Sequence, residues 1–236
     1  MIEIKVLASG STGNCYWISD GRTPLLLEAG LPLQKIREGT GFQVSNLAGC
    51  LISHEHGDHS RGIPELVKAG VNCFMSQGTA EALGVQSHRI KILEAKKNYH
   101  IGTWQVMPFE VQHDAVEPFG YLLRTAKTKE KLVYITDSSY SRYIFNGLSY
   151  IMVECNYSME ILNENIQAGR VPAAQKKRIL QSHFSLENVK DFLLANDLSQ
   201  VKEIWLLHLS DRNSDAELFK REIMELTGKP VYIAGE

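Results

Sequence analysis

The sequence predicts an α/β fold in which two sheets pack together with helices outside. Three observations carry that expectation. Residues up to about 155 read as a long series of short apolar strands. Beyond them the apolar spacing turns helical. A further buried strand, "EIWLLHLS", lies between the last two helices. Many strands, then helices mixed with strands, suit two layers of sheet covered by helices.

The strands come in order as "IEIKVLAS", "CYWIS" and "PLLLEAG", then "CLIS" after a glycine turn, then "VNCFMS". "TWQVMPFEV", "FGYLLRTA", "KLVYITD" and "YIMVEC" continue the series. Short helices interrupt it; "PELVKAG" has Pro64 in its first turn and Gly70 at its end. Ser185 caps "LENVKDFLLAND", whose Leu186, Val189, Phe192 and Leu193 share one face. Ser214 and Glu217 form a capping box for "DAELFKREIMELTG", which Gly228 closes.

The chain has 236 residues, 44% hydrophobic and 22% charged, with a formal net charge of -2. That composition supports an ordinary buried core. It gives no general attraction to nucleic acid or anionic membrane, so any nucleic-acid contact is local. No repeat or linker divides the chain, which reads as one domain over residues 1–236. The N-terminal "MIEIKVLASG" carries acid and lysine in an apolar alternation, so it reads as a strand and not as a signal peptide. No run approaches the roughly 18 apolar residues of a membrane span. Cys15, Cys50, Cys73 and Cys155 are scattered, with no C-x-x-C, as reduced buried thiols of a cytoplasmic protein would be.

Between "CLIS" and "PELVKAG" lies "HEHGDHSRG", expected as a loop, with His54, Glu55, His56, Asp58 and His59 crowded together. Such groups repel one another unless a cation makes them its shared ligands. Imidazole nitrogens and carboxylate oxygens are what a borderline divalent metal takes. His54 and His56, two apart in an extended segment, point to one side and grip one ion. Asp58 and His59, after the flexible Gly57, face a second. The alternative is a polar surface loop that happens to hold histidines. Further ligands end strand-like runs: His113 after "MPFEVQ", Asp137 after "KLVYIT" and His208 after "EIWLL".

This H-x-H-x-D-H pattern, followed by a later His, an Asp and a last His, resembles the metallo-β-lactamase superfamily over nearly the whole chain. The resemblance implies an αββα four-layer sandwich with two divalent metal ions, Zn2+ first and Mn2+ second, at one edge. It implies His54, His56 and His113 on one ion, Asp58, His59 and His208 on the other, and Asp137 bridging them. Gly62 falls where the motif usually has its glycine. Glu28, in "LLLEAG", stands where the family usually has Asp as a support behind the ligands.

"YIMVECNYS…QSHFSLENV…IWLLHLS" resembles the elements of tRNase Z-type nucleases that precede the last metal histidine. Glu154 matches the acid and His183 the histidine, in which a carboxylate orients an imidazolium that donates a proton to the departing oxygen. Too few residues lie between His113 and Asp137 for a tRNA-gripping arm, and too few between Glu154 and His183 for an inserted β-CASP domain. The compact YycJ/WalJ group is similar in "ASGSTGNCYWI" and "LLHLSDRNSD", and PhnP-type cyclic phosphodiesterases share much of the pattern. The resemblance therefore implies a dinuclear phosphodiester hydrolase, a nuclease or exonuclease, whose metal-bridging hydroxide is oriented by Asp58. Its substrate is nucleic acid or a small phosphodiester. A glyoxalase II-like thioester hydrolase is the alternative and has no need of Glu154 and His183. Ligand histidines must be neutral, so activity is expected to fall below about pH 6.

"ASGSTGN" lacks the G-K-[ST] ending of a nucleotide P-loop. Ser9, Ser11 and Asn14 either border a substrate phosphate or form a plain tight turn. Lys176, Lys177 and Arg178 read as a solvated helix face, with phosphate contact the alternative. His88 and His100 read as surface residues. Tyr140, Tyr143 and Tyr157 read as core, with base stacking the alternative.

Overall fold

The computed structural model describes residues 1–235, which cluster into two compact units. The first comprises Met1–Glu110 and Ala115–Glu130, with Gly235; the second comprises Val111–Asp114 and Lys131–Ala234.

In the first unit, β1 (Glu3–Ala8), β2 (Cys15–Ser19) and β3 (Pro24–Leu27) pair antiparallel. Helix α1 (Leu33–Gly39) then leads to β4 (Gly49–Leu51), which pairs parallel to β3. After β4 come α2 (Gly57–Ser60) and α3 (Ile63–Lys68). Strand β5 (Cys73–Met75), helix α4 (Gln77–Leu83) and strand β6 (Ile90–Ile92) complete a six-stranded sheet in sequence order. The antiparallel strands β7 (Tyr99–Ile101), β8 (Trp104–Glu110) and β9 (Phe119–Thr125) follow. Leu26, Ile36, Cys50, Ile52, Ile63 and Leu66 pack in the core of this unit, all without exposed surface. Complete burial of such side chains is worth roughly 1.5–3 kcal/mol each.

The second unit holds four parallel strands, β10 (Lys131–Ile135), β11 (Tyr150–Glu154), β12 (Glu203–Leu207) and β13 (Val231–Ile233). Helices α5 (Met159–Gln167), α6 (Ala173–Ser182) and α7 (Leu186–Ala195) lie between β11 and β12, and α8 (Ala216–Thr227) precedes β13. Each of β10, β11 and β12 is apolar at nearly every position, as expected of parallel strands covered on both faces.

Most expected elements form, with two local corrections. "HEHGDHSRG" is not all loop: Gly57–Ser60 makes a helical turn, fastened where Ser60 Oγ reaches the carbonyls of Glu55 and His56 at 2.7 and 2.9 Å. The cap of α8 is Asp215, whose carboxylate accepts from Leu218 N at 2.9 Å, while Ser214 Oγ donates to Ser210 O instead. Ser185 caps α7 as expected, accepting from Asn188 N at 3.1 Å. Gly228 ends α8 at φ 64, a left-handed turn open to glycine. All four cysteines are free and buried, and His88 and His100 are exposed. Among the described residues no helix is long and apolar enough to cross a membrane.

Candidate metal centre

Each unit carries a cluster of titratable side chains at the carboxyl ends of its parallel strands, the usual place for ligand sites in such sheets. In the first unit, Glu28 directly follows β3, and β4 runs on through Ile52 into Ser53 and His54. The rings of His54 and His56 lie 4.7 Å apart edge to face, and those of His54 and His59 lie 4.2 Å apart. His54 and His59 are buried, whereas His56 and Asp58 are partly exposed. The helical turn of α2 brings Asp58 Oδ2 to 3.4 Å from His59 Nε2.

Two further residues hold this cluster. Asn14 is fully buried; its backbone N–H donates to Asp58 O at 2.7 Å and its Nδ2 lies 3.1 Å from His59 Nε2. Glu28, also fully buried, accepts from Ser53 N at 3.2 and 3.3 Å and faces His59 Nδ1 at 3.6 Å. Its negative charge and burial hold the neighbouring Tyr121 hydroxyl well above its ordinary pKa, burial being the larger cause. Asn14 thus belongs to a turn that props ligand candidates. Glu28, whose role the sequence leaves open, stands behind His59.

In the second unit the register of β10, β11 and β12 gathers three acidic or imidazole side chains within one residue of level, Asp137 and His208 standing one position beyond Glu154. Ile135 pairs with Val153, which pairs with Leu206, so the next two positions bring Asp137, Glu154 and His208 to one sheet edge. His208 Nδ1 lies 3.0 Å from Asp137 Oδ1, and His113 Nε2 lies 3.6 Å from Asp137 Oδ2. One carboxylate therefore turns an oxygen toward each histidine. His113 Nδ1 donates to Ser182 O at 3.0 Å, which fixes the tautomer and leaves the Nε2 lone pair facing the cluster. Burial, outweighing nearby Asp137 and Glu154, lowers the His113 pKa and favours the neutral ring that a metal needs.

Glu154 accepts four hydrogen bonds with no exposed surface. Its Oε1 takes His183 Nδ1 at 2.6 Å and His208 Nδ1 at 3.1 Å. Its Oε2 takes the backbone N–H groups of Ser138 and Phe184, both at 3.1 Å. Burial alone would raise its pKa, yet the His183 charge and these bonds bring it below the ordinary value. Burial likewise works against a charged His183, but the facing Glu154 carboxylate wins and raises its pKa.

Backbone strain marks the same residues. Of six non-glycine residues with positive φ among those described, three are Glu28 at 65°, Asp137 at 32° and His208 at 52°. Such conformations cost about 1–3 kcal/mol each and gather at functional sites.

The donor set fits divalent ions. Asp137, Glu154, His183 and His208 each bring a ligand-type atom within 4.8 Å of the others; Glu154 already accepts four hydrogen bonds, one of them from His183, which leaves Asp137 and His208 as the metal donors of this group. Unit one adds imidazoles and a carboxylate, and no thiolate takes part, which suits Zn2+ or Mn2+. Elsewhere, Arg178 pairs with Asp114 at 3.2 Å and Lys176 with Asn163 at 2.7 Å, as a solvated helix face would. Tyr157 is core, at 2% exposure. Tyr140 is not core, being 46% exposed on the irregular segment between β10 and β11.

A family model described as "Beta-lactamase superfamily domain" matches residues 26–161. The chain is 32% identical over 234 residues to "Exodeoxyribonuclease WalJ" of Streptococcus pneumoniae, covering 92% of this chain and 84% of that protein. It is 28% identical over 250 residues to "Exodeoxyribonuclease YycJ" of Bacillus anthracis, covering 100% and 92% respectively. Among solved structures, the metallo-β-lactamase fold protein YhfI of Bacillus subtilis superposes with a TM-score of 0.77 at 16% identity, over 99% of this chain and 97% of that one. The fold is therefore the expected one, two sheets flanked by helices.

Proposed function

The chain belongs to the β-lactamase superfamily, and from that premise we propose that it is a metal-dependent hydrolase of phosphodiester bonds acting as a nuclease on DNA. The relatives named as exodeoxyribonucleases support a DNA exonuclease in particular. The single observation that carries the reading is the contact between His183 and Glu154 at 2.6 Å, an acid–imidazole pair beyond what metal binding requires. A thioester hydrolase has no use for it.

In this reading His54, His56, Asp58 and His59 of the first unit, and His113, Asp137 and His208 of the second, would supply the ligands of the divalent ions. Zn2+ is the first choice and Mn2+ the second. Bound there, such ions lower the pKa of water to give a nucleophile near neutral pH and offset charge on the phosphoryl oxygens. Asp58, one of the partly exposed members of its cluster, accepts a hydrogen bond from the attacking water and orients it. Glu154 fixes the His183 ring and keeps it protonated, so that Nε2–H is available to the departing oxygen. Transfer of that proton neutralises the alkoxide as the P–O bond breaks. The free, buried cysteines suit a reducing compartment such as the cytoplasm.

The test is degradation of end-labelled DNA by the purified protein. Mononucleotide release that chelation stops and Zn2+ or Mn2+ restores is expected. Intact DNA alongside hydrolysis of lactoylglutathione would move the chain to the thioester branch.

A further inference from the structure

Below the Asp137 strand end, the second unit contains a cavity of about 640 Å³. It lies within the size range of pockets that take small ligands. Tyr140, Arg142, Tyr143 and Ile144 line it together with Leu180 of α6 and Phe192 of α7. Tyr140 and Ile144 are 46% and 65% exposed, although the segment that bears them is firmly mounted. Asn188 Nδ2 donates to Ser139 O at 2.8 Å, Ser139 N donates to Gln112 O at 3.0 Å, and Ser138 N donates to Glu154. Two large apolar side chains are thus held open to solvent on a braced segment.

We propose that this cavity is a subsite for a nucleobase of the DNA strand whose backbone lies at the Asp137 cluster; the proposal rests on the nuclease reading above. Three features select a base. Tyrosine faces and aliphatic walls offer stacking, which any base accepts. Asp191 on α7 also lines the cavity, so a phosphate inside would meet a like charge, whereas a base amino group would meet an acceptor. The Arg142 guanidinium, 5.9 Å from the Tyr143 ring centre, supplies positive charge for the adjoining phosphate. Reach agrees as well. Tyr140 stands three residues from Asp137, so their Cα atoms are at most about 11 Å apart. That span is roughly three stacked nucleotide rises of ~3.4 Å. Stacking also answers how a chain of net charge -2 would hold a polyanion, since it needs no excess of positive charge.

The experiment uses the metal-loaded protein and a fluorescent single-stranded oligodeoxynucleotide with a phosphorothioate backbone, read by anisotropy. Tyr140→Ala should weaken binding about tenfold, Tyr140→Phe should stay within about twofold, and both should melt like wild type. An abasic residue scanned along the strand should cost wild type about tenfold at one position and cost Tyr140→Ala nothing more there. Equal binding by wild type and Tyr140→Ala, or losses that simply multiply, would overturn the subsite. So would a Tyr140→Ala variant that changes only the oligomeric state, since the face would then dock a second copy. Degradation of an ordinary phosphodiester strand by wild type reads the nuclease proposal separately. DNA cleaved alike by wild type and Tyr140→Ala removes the subsite alone; DNA neither bound nor cleaved removes both.

Discussion

His183 Nδ1 lies 2.6 Å from Oε1 of Glu154, a carboxylate that has no exposed surface and four hydrogen-bond donors around it. A neutral, solvated histidine needs no such partner. The arrangement favours a charged ring held in one orientation, which is what the proposed proton donor requires.

His183→Ala should therefore retain the metal content of the wild type. Its turnover of DNA, or of an alkyl phosphodiester, should fall by about 10²–10⁴, while a nitrophenyl ester, whose leaving group needs no proton, falls far less. Equal losses on both substrates would remove the general-acid role.

The same pair gives a stability signature in metal-free protein. Glu154 has a lowered folded pKa, so its contribution is complete above the unfolded carboxylate value, near 4.3, and fades as pH falls through the folded one. His183 has a raised folded pKa, so its contribution is complete below about 6.5 and fades as pH rises through the folded value. The melting difference between wild type and His183→Gln should be widest between roughly pH 4.5 and 6.5 and shrink toward pH 9. A difference independent of pH would show that the pair is not charged.

Glu28 tests the support behind His59. Glu28→Gln keeps the shape and removes the charge, leaving an amide where Ser53 N and His59 now meet a carboxylate. Metal affinity, measured by competition with a chromogenic chelator, should drop about 10–100-fold. Affinity unchanged within twofold would confine Glu28 to bracing the segment that follows β4 through Ser53.

Gly30 tests the fit of two segments. A Cβ there would lie 1.7 Å from Asp58 O and 2.5 Å from Asn14 N, both backbone atoms that cannot swing aside. Gly30→Ala should cost at least about 1–3 kcal/mol of stability and lower metal occupancy together, seen by melting and metal analysis of one sample. Loss of stability with full metal occupancy would show that Asp58 tolerates the shift.

What the sequence reveals here follows the distance between partners. His54, His56, Asp58 and His59 are legible because a metal-binding pattern packs into six positions. Asp137 and His208 are legible because each ends an apolar run that can only be a strand. Asn14 is not, since its meaning lies in His59 and Asp58, which the fold alone brings to it; Glu28 stands out only through the family resemblance, which leaves its role open. The helical turn at Gly57–Ser60 escapes notice because a four-residue helix shows no period. The cap of α8 is misplaced by one residue because Ser214 and Asp215 are both good caps and only the chain's direction of entry chooses. Tyr140 reads as core from its type and stands in solvent in the structure.

The gathering of Asp137, Glu154 and His208 at the ends of neighbouring strands depends on strand register. A deletion inside β11 would present Cys155 where Glu154 stands, so the acid that meets His183 would be lost. The irregular stretch after Asp137 is held instead by Ser138 N on Glu154 and by the contacts of Ser139 with Gln112 and Asn188. In the proposed reading, changes along that stretch would alter how a strand is gripped while leaving the cluster at the strand ends intact.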